Sequence, residues 1–170
     1  MNTKIVFSGD EKASRLFLKM HLEKYTPLKK TYAIIGIVAL VLGIILLIFD
    51  TSHPYWIISL VVSILMPFLY ISQRNSLIDK SINKRATYDQ VATFKNSLIL
   101  FNYANTEKTF EYNQIIRFIE LPDYVYLYIE DTKAIIIPKL QIQKDEMDNL
   151  INHLHDKIAN EKYKYYNIKK

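Results

Sequence analysis

YAIIGIVALVLGIILLIFDTSHPYWIISLVVSILMPFLYI, residues 32–71, is the stretch whose reading decides the fold. Across residues 33–49 no side chain is charged or strongly polar, and thirteen of the seventeen are Ile, Leu, Val or Phe. At ~1.5 Å per residue such a helix covers about 25 Å, close to the ~30 Å hydrocarbon core of a bilayer. At roughly 0.3–0.6 kcal/mol per large apolar residue, its insertion gains on the order of 4–8 kcal/mol. Residues 55–71 hold ten side chains of the same kind, opposed by Ser59, Ser63 and Pro67. That second segment is weaker and suited to insertion beside a partner. Pro67 falls near its end, where one lost backbone hydrogen bond matters least. The soluble alternative is a pair of helices buried on every side. A chain of 170 residues is too short to surround both. The expectation is a transmembrane hairpin over 31–73, with spans near 32–50 and 54–72.

Working outward, Arg15, Lys19, Lys24, Lys29 and Lys30 precede the first span, and Arg74, Lys80, Lys84 and Arg85 follow the second. The connection DTSHP carries no Lys or Arg. The positive-inside rule then places both termini in the cytoplasm. About thirty mostly polar residues before the first span count against a cleaved signal peptide. Tyr32, Tyr55, Trp56 and Tyr70 fall at the expected interfaces, where amphipathic rings prefer to lie. Gly36, Ala39 and Gly43 form a small-residue seam on the first helix, and Ser59 with Ser63 forms another on the second, the composition that lets two membrane helices approach closely. Neither apolar run, 33–49 or 55–71, contains Asp, Glu, Lys, Arg or His. An ion path through the hairpin would call for one, so a self-contained transporter is disfavoured.

The arms on either side read as one cytoplasmic domain. In segment 1–30, KIVFS is a strand and SGDE, from Ser8 to Glu11, fits a capping box that opens a helix with Ala13, Leu16, Phe17 and Met20 on one apolar face. Pro27 stops it. Residues 74–90 are a juxtamembrane helix or linker. Over 91–160 the period changes to two. YVYLYIE puts Tyr124, Tyr126 and Tyr128 on one face and Val125, Leu127 and Ile129 on the other. VATFK, SLILFNY, KTFEY, QIIRFIE and KAIIIPK repeat the pattern, separated by ANTE, LPD and EDT turns. Six such strands predict an antiparallel meander. A final helix over 144–160 carries Met147, Leu150, Ile151, Leu154 and Ile158 on its sheet-facing side, and residues 161–170 form a basic, aromatic tail.

A family resemblance enters here. FEYNQIIRFIELPDYVYLYIEDTKAIIIPK, with its aromatic-NQI step at Tyr112 to Ile115, its DYVYLY strand and its AIIIPK ending at Pro138 and Lys139, resembles the YcxB-like proteins. The resemblance implies an α+β membrane protein in which the hairpin carries a cytoplasmic antiparallel sheet, similar to a bacterial pleckstrin-homology (PH) domain and closed by the C-terminal helix. The resemblance brings no activity, cofactor or catalytic residue, and the expected location, the bacterial inner membrane, rests on the hairpin.

The residues themselves offer little chemistry. The absence of cysteine removes disulfides and thiolate catalysis. With three glycines the chain has no glycine-rich phosphate loop. His153 and His155, two positions apart on a helix, point about 200° apart and read as surface residues. His21 and His53 are isolated. Asp145, Glu146 and Asp148 complement the dipole of a helix start. The net charge of +5 is more informative. Lys29, Lys30, Arg74, Lys80, Lys84, Arg85, Lys162 and Lys164 are candidate lipid-surface contacts, since each basic residue near an anionic leaflet contributes roughly 1 kcal/mol. The tyrosines of YVYLYIE have no interleaved cations, so they read as core or partner-facing and not as a nucleic-acid platform. The expected function is non-catalytic: a membrane-anchored interaction domain binding a protein partner or lipid, with self-association allowed. The alternative is an accessory subunit of a transport or signalling complex acting through its hairpin.

Overall fold

The computed structural model describes residues 3–49, 52–82, 89–103 and 106–167. The protein is α+β and divides into two compact units, one formed by residues 1–17 with 85–170, the other by residues 18–84.

The first unit holds two four-stranded sheets. One has the order β1 (Thr3–Ser8), β2 (Asp89–Phe94), β3 (Leu98–Tyr103), β4 (Thr106–Glu111), antiparallel throughout. The second has the order β7 (Lys133–Pro138), β6 (Tyr124–Glu130), β5 (Arg117–Glu120), β8 (Tyr163–Tyr165). A 3₁₀ turn at Tyr112–Gln114 separates the sheets. It ends on Gln114, where QIIRFIE would begin as a strand, and β5 starts three residues later, at Arg117. The expected single meander is thus broken into two sheets, and β1 joins the first through the register Ile5↔Ala92 and Phe7↔Gln90.

Alternation along each strand sends one set of side chains into a shared core. Ile5, Phe7, Ala92, Phe94 and Ile99 from the first sheet meet Phe118, Val125, Leu127, Ile135 and Ile137 from the second. Helix α4 (Lys144–Lys157) closes this core with Met147, Leu150 and Leu154. The opposite face of the second sheet carries Tyr126 and Tyr128, and the start of helix α1 (Glu11–Lys24) lies over it. Ala13 and Phe17 are buried, with the Phe17 ring 5.4 Å from that of Tyr126 and 5.2 Å from that of Tyr128. Asp10 caps α1, accepting from the Lys12 N–H at 2.8 Å. The expected cap, Ser8, is consumed by β1, where its N–H donates instead to Gln141 Oε1 at 2.9 Å.

The second unit contains helices α2 (Leu28–Phe49) and α3 (Tyr55–Ile82), of 22 and 28 residues. Both are long and apolar enough to cross a membrane. At ~1.5 Å per residue they measure about 33 and 42 Å. The second apolar segment and the residues after it, up to Ile82, are one continuous helix that passes through Pro67.

Candidate functional site

On the tyrosine face, the partner is the chain's own N-terminus. Tyr124 donates to Asp10 Oδ2 at 3.0 Å and Tyr126 to the Ala13 carbonyl at 3.3 Å. One carboxylate therefore caps α1 and binds β6. Burial pushes the Tyr124 phenol up to about 12, helped by its hydrogen bond to Asp10 and by the charges of Asp10 and Asp123. Tyr126 is raised further, first by burial. The Arg117 guanidinium lies 5.4 Å from the centre of the Tyr128 ring and pairs with Asp131 at 2.9 Å. The rings that alternation set on one face are thus packed, and the hydroxyls of Tyr124 and Tyr126 are hydrogen-bonded.

At the end of β5, next to the edge strand β8, Glu120 gathers the C-terminal segment. Its Oε1 accepts from Lys139 Nζ at 2.6 Å, its Oε2 from the Tyr163 hydroxyl at 2.8 Å, and its carbonyl from the Tyr166 N–H at 3.0 Å. Lys139 and Glu120 are mostly shielded, at 17% and 14% side-chain exposure, a setting in which a charge-assisted pair is far stronger than on an open surface. Tyr163 also packs against Phe118 and His155, and its phenol is pushed up to about 12 by burial first and by Glu120 second. The segment read as a tail is therefore a strand in its first part, and β8 pairs with β5 in parallel. No periodicity singles out Glu120. Lys139 alone was legible, as the end of AIIIPK.

His153 corrects the surface reading. It is 8% exposed, and its Nε2 lies 3.0 Å from the Tyr112 hydroxyl, which donates to the Lys95 carbonyl at 2.8 Å. With the phenolic hydrogen committed to Lys95, geometry favours an Nε2–H that donates to Tyr112. The pair ties α4 to the β2–β3 turn, and burial raises the Tyr112 phenol to about 12. The H-x-H spacing misled because position 153 lies on the same buried stripe as Leu150 and Leu154. His155, two positions on, is half-buried beside Tyr163, with ring centres 4.3 Å apart. His21 is buried and stacks on Tyr25, and His53 stacks on Tyr55. Among the described residues no group of three or more His, Cys, Asp or Glu is placed to hold a metal ion.

The basic residues fall into two kinds. Lys29, Lys30, Lys80 and Lys164 are exposed. Arg74 is paired with Glu23 at 2.7 Å, and Lys162 donates to the Asn113 carbonyl at 3.0 Å. Lys84 and Arg85 lie outside the described residues.

Helices α2 and α3 run antiparallel, as the contacts Gly36–Met66 and Gly43–Leu60 require. Ser59 Oγ donates to the Ala39 carbonyl at 2.7 Å, and Ser63 Oγ to its own helix at Leu60. A Cβ on Gly43 would lie 2.9 Å from Leu60 Cδ2, so this position admits only glycine without movement. Further along, the Tyr32 hydroxyl donates to Gln73 Oε1, and the Tyr32 and Tyr70 rings lie 6.1 Å apart.

Residues 87–154 match the family model described as YcxB-like protein. This segment is a YcxB-like domain. The match takes in β2 through β7 and most of α4, including Tyr112, Glu120, Lys139 and His153. Strand β1, helices α1 to α3 and β8 lie outside it, so the YcxB-like domain is completed by segments that precede and follow the matched region. Neither a curated protein nor a solved structure matches the chain.

Proposed function

We propose that the protein is a membrane-anchored interaction protein of the bacterial inner membrane. In this reading α2 and α3 cross the bilayer as a hairpin with both termini in the cytoplasm, and the YcxB-like domain, built on a PH-like plan, binds a protein partner or lipid head groups without catalysis. The observation that carries it is the distribution of side chains on α2 and α3. Ile34, Ile48, Phe49, Ile64 and Phe68 are between 61% and 83% exposed, while the buried residue of α2 is Gly43. Large exposed apolar surface with a small-residue interior is what a lipid solvent favours and water does not. The PH-like reading is supported by two sheets enclosing one core closed by α4. The cytoplasmic orientation is supported by the Lys and Arg residues beside the spans and their absence from DTSHP.

The chain has no cysteine, which makes a direct test of topology simple. A membrane-impermeant thiol reagent applied to intact cells should label Ser52→Cys and leave Tyr165→Cys unlabelled until the cells are opened. Labelling of Tyr165→Cys from outside, or recovery of the unmodified protein in a detergent-free soluble fraction, would overturn the proposal. Replacing both spans by unrelated apolar helices should leave partner or lipid binding by the YcxB-like domain intact. Loss of binding would favour the accessory-subunit role, in which the hairpin makes the decisive contacts.

A further inference from the structure

Between α2 and α3 lies a groove of about 370 Å³, in the size range of small-ligand sites. On α2 it is lined at positions 29, 32, 33, 36, 37 and 40, and on α3 at 63, 66, 67 and 70. These are single helical stripes, so the groove follows the helix axes. From position 29 to position 40 it extends roughly 16 Å at ~1.5 Å per residue. That is about half of a ~30 Å hydrocarbon core, the depth of one leaflet. Ala33, Gly36 and Ser63 are the small residues of its wall.

The groove is graded in polarity. Its deep end, at Ile37 and Leu40, is apolar. At its other end stand Lys29, Tyr32 and Tyr70. The Tyr70 hydroxyl is shielded from solvent and has no hydrogen-bond partner among the described residues. Pro67 has no N–H to give the Ser63 carbonyl, one turn earlier on the groove wall. Lys29 is exposed and has no carboxylate partner among the described residues, whereas the nearby Arg74 is held by Glu23. A slot one leaflet deep, apolar below and carrying a free cation and an unused hydroxyl at its mouth, matches an acyl chain with an acidic head.

We propose that this groove binds one acyl chain of an anionic glycerophospholipid, whose phosphate is held at Lys29 and within reach of Tyr70. The inference rests on the membrane hairpin proposed above and names the lipid class that the hairpin selects. Zwitterionic lipids can offer the same chain, but they leave the positive charge of Lys29 and the adjacent Lys30 unbalanced.

The test uses the full chain purified in neutral detergent, with dioleoylphosphatidylglycerol, dioleoylphosphatidylcholine or glycerol phosphate added. Retained lipid is read by native mass spectrometry and stabilisation by thermal unfolding. Phosphatidylglycerol should be retained one per chain and raise the unfolding temperature, phosphatidylcholine should do so more weakly, and glycerol phosphate should do neither. Lys29→Gln should reduce the preference for phosphatidylglycerol about fivefold. Ala33→Phe or Leu40→Phe, which fill the groove at different depths, should reduce retention of both lipids, and Ile48→Phe, outside the groove, should not. Using two filling variants covers the case in which one fails to fold. Equal retention of the two lipids, an unchanged preference in Lys29→Gln, stabilisation by glycerol phosphate alone, or a lipid-independent dimer occupying the groove would each overturn the inference. A protein that stays in solution without detergent would instead refute the membrane reading itself. One that needs detergent but treats both lipids alike refutes only the site.

Discussion

The two units are built from the same aliphatic and aromatic side chains arranged in opposite senses. In the first, Phe94, Phe118 and Leu150 are completely buried, and large apolar side chains such as Leu140 reach the surface singly. In the second, Ile48 is 70% and Phe68 66% exposed, while glycine and serine occupy the contact between helices. Burial of large apolar groups stabilises the first unit by removing them from water. Close approach of backbones, with a serine hydrogen bond across the seam, holds the second. The contrast teaches that hydrophobicity reports only the solvent a segment prefers. Which residues hold that segment together must be read from size.

The sharpest way to break the contrast is to delete matched aromatic side chains. Phe118→Ala should destabilise the YcxB-like domain by about 3–5 kcal/mol, the usual cost of an emptied aromatic core site. Phe68→Ala, on an exposed face, should stay within about 0.5 kcal/mol. Denaturant unfolding of the full chain in detergent, followed by hydrogen exchange in each unit, measures both. Comparable losses would mean that the exposed face of α3 is covered by protein and not by lipid.

The next effect sharpens the comparison inside the first unit, where one ionic contact does what packing does elsewhere. Glu120→Gln removes the charge that accepts from both Lys139 and Tyr163, and should cost about 1.5–3 kcal/mol, as loss of hydrogen bonds to a charged group does. Strand β8 should be released. Trypsin cleavage after Lys162 and Lys164 should accelerate while cleavage within β5 to β7 does not. An unchanged rate at the two lysines would show that the Tyr163 ring contacts and the backbone pairing with β5 keep β8 in place without the charge.

A smaller effect tests the seam. Gly43→Ala places a methyl group 2.9 Å from Leu60 Cδ2 and 3.3 Å from the Leu60 backbone nitrogen. The side chain can turn aside but the backbone cannot, so α2 and α3 must part slightly at a cost of about 1–3 kcal/mol. Gly36→Ala meets Met66 Cβ at 3.3 Å as its closest neighbour and should cost less. Thermal unfolding of the two variants in detergent gives the order. A neutral Gly43→Ala would mean that the helices are not held at this point.

The two units were also unequally legible. In the helix pair α2 and α3, the run of apolar residues and the positions of Gly36, Gly43 and Ser59 carry most of the architecture, because a long apolar helix is marked by length, polarity and side-chain size. In the YcxB-like domain, strict alternation exposed the strands and separated Tyr126 and Tyr128 from Val125 and Leu127. What alternation cannot encode is pairing between distant segments. Strand β1 meets β2 across more than eighty residues, and β8 returns to β5 in parallel, neither marked by a turn. Asp10 displaced Ser8 as helix cap because β1 extends through Ser8, a tertiary fact. His153 was misread for a similar reason: its spacing to His155 was visible, but Tyr112, forty-one positions earlier, was not a neighbour in sequence.

The smallest expected effect returns to the tyrosines of the first unit, which carry hydroxyl groups into its packed interior. Tyr112, Tyr124 and Tyr163 each have phenols raised from 10.0 to about 12. Below pH 10 these groups are neutral whether folded or unfolded, and their contribution to stability is complete. As pH rises from about 10 to 12 the unfolded chain releases protons that the folded one still holds, so stability falls across that window. Absorbance of tyrosinate should therefore lag behind that of free tyrosine and then rise together with loss of the first unit, while the helicity of α2 and α3 persists. Asp10→Asn isolates one part of this. Asparagine caps a helix as well as aspartate does, so neutral-pH stability should change by less than about 1 kcal/mol. The negative charge beside Tyr124 is gone, however, and its ionisation should move to lower pH. If Asp10→Asn leaves the tyrosinate curve in place, burial alone raises Tyr124, and Asp10 serves the α1 cap without governing the titration of the face it covers.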